Sequence, residues 1–201
     1  MAYVHDDVYQ RIAKLKQAGK LEDALKLVNS YLVDDPANQS LLMEIADIHY
    51  RSGELEKSSK PVDFLLTQNP DDPMNLYIKG ILEMEKRDWA NAREFLKKAA
   101  KLTKLENAEV IRVYGLCEFR YGNKEKGIDM LKMAFQMNQY DAEVIYNLAQ
   151  LYLMQHKYTS AESMLKYYSK YHSKLQCYDR EIQYYDEKIK LFSEFIEAKK
   201  K

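Results

Sequence analysis

Helix breakers are scarce in this 201-residue chain, which has six glycines and four prolines. A chain that avoids both over this length is expected to be mostly helical. Alternating strand-like runs are absent, whereas apolar residues recur at i, i+3, i+4 and i+7. The two cysteines, Cys117 and Cys177, form no CxxC pair. That excludes a disulfide framework and a cysteine zinc site, and it fits a reducing compartment. The four histidines, His5, His49, His156 and His172, are scattered without metal-ligand spacing. No glycine-rich phosphate loop, dinucleotide fingerprint or nucleophile elbow occurs, so neither a cofactor nor an enzymatic activity is expected. No apolar run approaches ~18 residues, so no membrane span is expected. The N-terminus lacks a basic segment followed by an apolar core, and a cytoplasmic location is expected. Formal net charge is zero, which removes a global field that would draw nucleic acid or membrane.

What is present is a repeat. Hydrophobic residues make up 46% of the chain, enough for a substantial core. "YLVDDPAN" and "LLTQNPDD" place Pro36 and Pro70 at the same point of a 34-residue period. With those prolines at position 32, position 8 reads Ala46, Gly80, Gly115 and Ala149 in units two to five. Position 20 reads Ala24, Ser58, Ala92, Gly127 and Ala161, and position 15 carries Gly19, Gly53 and Gly122. Small residues at 8 and 20 let two helix backbones approach. A glycine between them can take the left-handed conformation that ends the first helix. Proline ends the second helix. Pro73 opens the first helix of unit three, where a first-turn proline is tolerated. Acidic pairs at the inter-unit turns, Asp34-Asp35 and Asp71-Asp72, suit helix N-caps.

This pattern resembles the tetratricopeptide repeat family, over roughly residues 5 to 172. The resemblance implies an all-α, right-handed α-solenoid of tandem helix-turn-helix repeats. Five units are expected at about 5–38, 39–72, 73–106, 108–141 and 142–173. They form a repeat region over 1–173, followed by an amphipathic capping helix over 174–201. Unit one departs at position 8, where Ile12 replaces a small residue, and units three to five lack the closing proline. The C-terminal helix carries an apolar seam of Leu175, Tyr178, Ile182, Tyr185, Ile189, Phe192 and Ile196. It has two readings: a cap over the last repeat, or a homodimer seam at heptad spacing.

The resemblance also implies a function, because this family binds partners on the concave surface lined by the first helix of each pair. Positions 5, 9 and 12 there include Tyr9, Met43, Tyr77, Ile81, Met84, Arg112, Leu116, Phe119, Tyr146 and Gln150, with Asn147 beside them. Arg112 is expected to stand alone in an apolar strip, with Asp47, Asn147 and Gln150 at more polar rims. Such a strip suits a protein or peptide partner, or else the same residues pack internally. The positions that clamp a terminal carboxylate in the family's co-chaperones hold Tyr9, Ala13, Glu44, Met74 and Ile78 in the first window. These do not match, so that subtype is not expected. A third reading, a nucleic-acid adaptor, rests on the basic stretches Lys97–Lys104 and Lys166–Lys174, the latter interleaved with tyrosines.

Overall fold

Hydrophobic period and turn chemistry produce helix pairs throughout. A computed structural model describes residues 6–177 and 182–200. It contains eleven α-helices among those residues: α1 (Asp6–Gln17), α2 (Leu21–Leu32), α3 (Gln39–Arg51), α4 (Leu55–Gln68), α5 (Pro73–Glu85), α6 (Trp89–Leu102), α7 (Ala108–Tyr121), α8 (Lys124–Met137), α9 (Ala142–Met154), α10 (Tyr158–Lys170) and α11 (Ile182–Lys200). The chain divides into two compact units, Met1–Ala99 and Ala100–Lys201, with the boundary in the last turn of α6.

The turn inside each pair is the same in all five repeats. Position 15 is left-handed at Gly19, Gly53, Arg87, Gly122 and His156, with φ of 71°, 74°, 62°, 117° and 57°. Its N–H bonds the carbonyl three residues back, and the next N–H reaches back five, as in Lys20→Leu15 and Asp88→Glu83, both 2.9 Å. This closure satisfies carbonyls that a helix end would otherwise leave open. The start of the next pair is equally regular. Asn38, Asp72, Asn107 and Asp141 each accept a backbone N–H from the first turn of α3, α5, α7 and α9. The expected acid cap at Asp34-Asp35 is therefore replaced by Asn38, whose amide also donates to Asp35 at 3.3 Å.

In the first unit, one core cluster centres on Val8, Ile12, Ala24, Val28, Leu41 and Ile48. A second joins Ala46, Val62 and Leu82, with Met43 and Ile78 against it. Pro61 lies buried inside α4, where it removes one helical hydrogen bond. In the second unit, α7 and α8 approach most closely at two glycines. A Cβ on Gly127 would meet the Gly115 carbonyl oxygen at 2.6 Å and the Phe119 Cβ at 2.7 Å.

The C-terminal segment differs from the expected single helix over 174–201. His172–Lys174 forms a 3-10 turn, and Leu175 is extended. Gln176 then donates to the Tyr140 carbonyl at 2.7 Å and accepts from the Ala142 N–H at 2.8 Å. The segment leaves helical geometry because it satisfies backbone groups at the start of α9. Tyr178 lies outside the described residues. The later seam residues Tyr185, Ile189 and Ile196 are buried in a cluster with Ala142, Ile145, Ala149, Ala161, Leu165 and Tyr168.

Candidate functional site

The first helices of the repeats in the first unit are α1, α3 and α5. Polar links fix their register. Lys16 Nζ on α1 donates to Glu44 at 2.6 Å and Asp47 at 2.7 Å on α3. Arg51 Nε donates to both oxygens of Asp47, at 2.9 and 3.1 Å. Tyr50 on α3 donates to Glu85 on α5 at 3.1 Å. Burial opposes the Asp47 charge, but the hydrogen bonds from Lys16 and Arg51 outweigh it and hold the carboxyl below its ordinary range. Burial likewise opposes the Lys16 charge, and its bonds to Asp47 and Glu44 leave its pKa raised.

Within this frame Tyr9, Met43, Tyr77, Ile81 and Met84 are all half-buried. Tyr9 leans on the first cluster and Met43 on the second. Met74, in the first turn of α5, is 54% exposed. Most of these five side chains are therefore apolar, partly accessible, and placed among charges that already have partners.

The second unit treats the corresponding positions differently. Arg112 does not stand alone. It donates through Nε to Glu109 at 2.8 Å and pairs with Glu143 at 2.9 Å, and it is buried. Phe119 is 4% exposed and sits against the close approach at Gly127. Asn147, expected at a polar rim, is also buried. Tyr146 stacks on Phe192 of α11, with ring centroids 5.4 Å apart and planes 7° from parallel. Gln150 Nε2 lies 3.4 Å from the Tyr146 hydroxyl. Leu116 and Gln150 remain half-buried.

Two buried carboxylates have a role the repeat pattern does not announce. Position 11, a core position of each first helix, holds Glu83 and Glu118. Glu118 has no exposed surface and accepts from Asn123 and Lys126, both at 2.5 Å. Glu83 pairs with Lys79 at 3.1 Å and Lys86 at 3.4 Å. His49, also at position 11, lies 2.7 Å from Glu54. In repeats two and four the bond thus runs from position 11 to position 16, tying one helix to the start of the next. The legible signal, present at Glu118 and Asn123, is an acid in an apolar register with a polar partner five residues later.

Lysines of both basic stretches are engaged with their own chain, one of them in Lys97–Lys104 and three in Lys166–Lys174. Lys98 pairs with Asp71 at 2.7 Å, and Lys166 with Glu162 at 3.0 Å. Lys170 and Lys174 lie over the rings of Tyr171 and Tyr140. Tyr167 and Tyr171 pack on each other and on Phe135 and Tyr140. The tyrosines that would stack on bases thus make protein contacts instead. Among the described residues no helix is long and apolar enough to cross a membrane, and no group of three metal-ligating side chains occurs.

Neither a protein-family model nor a curated protein matches the sequence. Solved structures do match. A tetratricopeptide repeat protein from Parabacteroides merdae superposes with a TM-score of 0.72 at 20% identity, over 95% of this chain and 77% of that one. Pseudomonas aeruginosa PilF gives 0.71 at 17% identity, over 82% and 75%. YrrB, described as a tetratricopeptide repeat protein with an unusual peptide-binding site, gives 0.58 at 16% identity, over 80% and 82%. Together with the helix pairs and their recurring turn, these likenesses define the fold: the chain is an α-solenoid of tetratricopeptide repeats.

Proposed function

We propose that this chain is a non-enzymatic protein-interaction module. Its inner face on α1, α3 and α5 takes a partner peptide or helix through Tyr9, Met43, Tyr77, Ile81 and Met84. One observation carries the reading: these five residues are partly accessible while the charges around them are paired within the chain. Aromatic and methionine side chains with a polar surround are the composition of an interface core. Methionine adapts to varied partner surfaces. YrrB, a structural neighbour, is described by its peptide-binding site, which agrees with this use of the fold.

The experiment compares wild type with a Tyr77→Ser, Ile81→Ser double variant in a pull-down from the native source, both first shown to have the same helicity and melting temperature. A protein retained by wild type and lost from the variant supports the reading. Identical retained proteins in both lanes overturn it. Dimerisation through the C-terminal seam is disfavoured by the same logic. Tyr185, Ile189 and Ile196 are already buried within one chain.

A further inference from the structure

Given the reading of the inner face of α1, α3 and α5 as a peptide site, we infer that its occupant carries an arginine beside its apolar anchors, bound by Glu85 on α5. The partner is thus a basic amphipathic segment.

The charges beside the apolar strip fall into two sets. Lys16, Glu44, Asp47 and Arg51 balance one another through ion pairs of 2.6 to 2.9 Å. Glu85 stands outside that set. It is exposed, and its hydrogen-bond partner among the described residues is the neutral Tyr50 hydroxyl, at 3.1 Å. The cations nearest it in sequence serve elsewhere. Lys86 Nζ reaches Ser59 at 3.1 Å, Glu56 at 3.2 Å and Glu83 at 3.4 Å. Arg87 forms the left-handed turn that follows.

The repeat register shows why no internal cation meets this acid. Position 12 of repeat one is Lys16, which crosses to the acids Glu44 and Asp47 of the next first helix. Position 12 of repeat two is Tyr50, which crosses to Glu85 in the same way. A phenol satisfies part of a carboxylate's hydrogen-bonding capacity and none of its charge. The last turn of α5 carries no basic residue either, and the negative end of the helix dipole falls there.

Glu85 lies about 6 Å beyond Ile81 and about 12 Å beyond Tyr77 along the helix axis. A peptide whose apolar side chains rest on Tyr77 and Ile81 brings a base to Glu85 about two to four extended residues further on. Beside the Tyr50 bond, the carboxylate retains lone pairs for the two parallel donors of a guanidinium. Arginine also lies against aromatic rings, and Tyr50 is 39% exposed at that place. Arginine therefore suits the site better than lysine.

The test pans a random dodecapeptide phage library at low salt against the full chain, Glu85→Gln and a Tyr77→Ser, Ile81→Ser variant. Glutamine keeps an acceptor for Tyr50 and removes only the charge. All three proteins are first matched in helicity and melting temperature. Wild type is expected to enrich peptides with an arginine close to apolar residues. The strongest of these is then labelled with fluorescein and read by anisotropy. Glu85→Gln should weaken it at least ~3-fold, less so at high salt. Replacing the arginine by citrulline should cost wild type a similar factor and leave Glu85→Gln unchanged. Enriched peptides that depend on Tyr77 and Ile81 but carry no base overturn the role of Glu85 alone. A citrulline loss equal in wild type and Glu85→Gln does the same. No enrichment on wild type, or the same peptides on the Tyr77→Ser, Ile81→Ser variant, overturns the peptide site and the arginine together.

Discussion

Position 15 shows how one backbone requirement acts on single residues. The turn demands a left-handed residue in every repeat, and glycine supplies it in three of the five. Nothing lies within 4 Å of a Cβ built on Gly53, so glycine serves the conformation there and not the packing. Arg87 takes the same conformation with a side chain, at a steric cost of roughly 1–2 kcal/mol. Arg87→Gly is therefore expected to raise stability by about 0.5–1 kcal/mol after the entropy lost with glycine. Gly53→Ala should lower it by about 1 kcal/mol. Paired urea titrations would check both signs. Gly127 is the opposite case. Alanine gains ~1 kcal/mol of helix propensity, but its methyl would meet the backbone of Gly115 and Phe119 at 2.6 and 2.8 Å. Overpacking costs about 1–3 kcal/mol, and backbone cannot swing aside, so Gly127→Ala is expected to be net destabilising. Gly80→Ala meets only the Leu96 side chain and should cost less.

Between elements, charge holds what apolar contact leaves partly open. The Lys16, Asp47 and Arg51 group joins α1 to α3 beside the proposed partner face. The folded-state pKa of Asp47 is lowered, so its contribution is present above the unfolded value near 3.8 and is lost as pH falls through the folded one. The pKa of Lys16 is raised, so its contribution holds below the unfolded value near 10.5 and fades as pH rises further. Asp47→Asn is expected to flatten the acid limb of stability against pH, by less than about 1 kcal/mol because the pair is partly solvated. Thermal melts from pH 2 to 6 would show it, and an unchanged acid limb would remove the assigned role. The turns at Gly19 and Gly53 and the cap at Asp72 were legible in the sequence, whereas the cap of α3 falls on Asn38 and not on Asp34-Asp35. The buried acids at position 11 were harder to see, since Glu118 occupies an apolar register and its partners follow across a turn.

For the whole molecule, balanced charge and occupied tyrosines lead to one expectation. Single-stranded RNA should not be retarded by the full chain in a gel-shift assay at low salt. Steeply salt-dependent retardation would instead revive binding through Lys166–Lys174. The low identity to the structural neighbours has a physical basis at this scale too. The fold asks only for small residues where helices touch, apolar ones around them and a left-handed turn between them. A chain at 20% identity therefore superposes over 95% of its length. For that reason the likeness speaks for architecture and leaves the partner to the exposed residues.

By itself the sequence determined the repeat period, the helix pairs, the close approach of α7 and α8 and three of the five left-handed turns. Each depends on residues near in sequence or on a register that recurs. Only the tertiary structure decided which of these first-helix positions stay open. Arg112 and Phe119 obey the same periodicity as Tyr9, Met43 and Tyr77, yet Glu143 neutralises the first and packing beside α8 buries the second, while Tyr146 stays half-buried with Phe192 stacked on it. Accessibility is set by groups distant in sequence, and periodicity within one helix carries no record of what will pack against it.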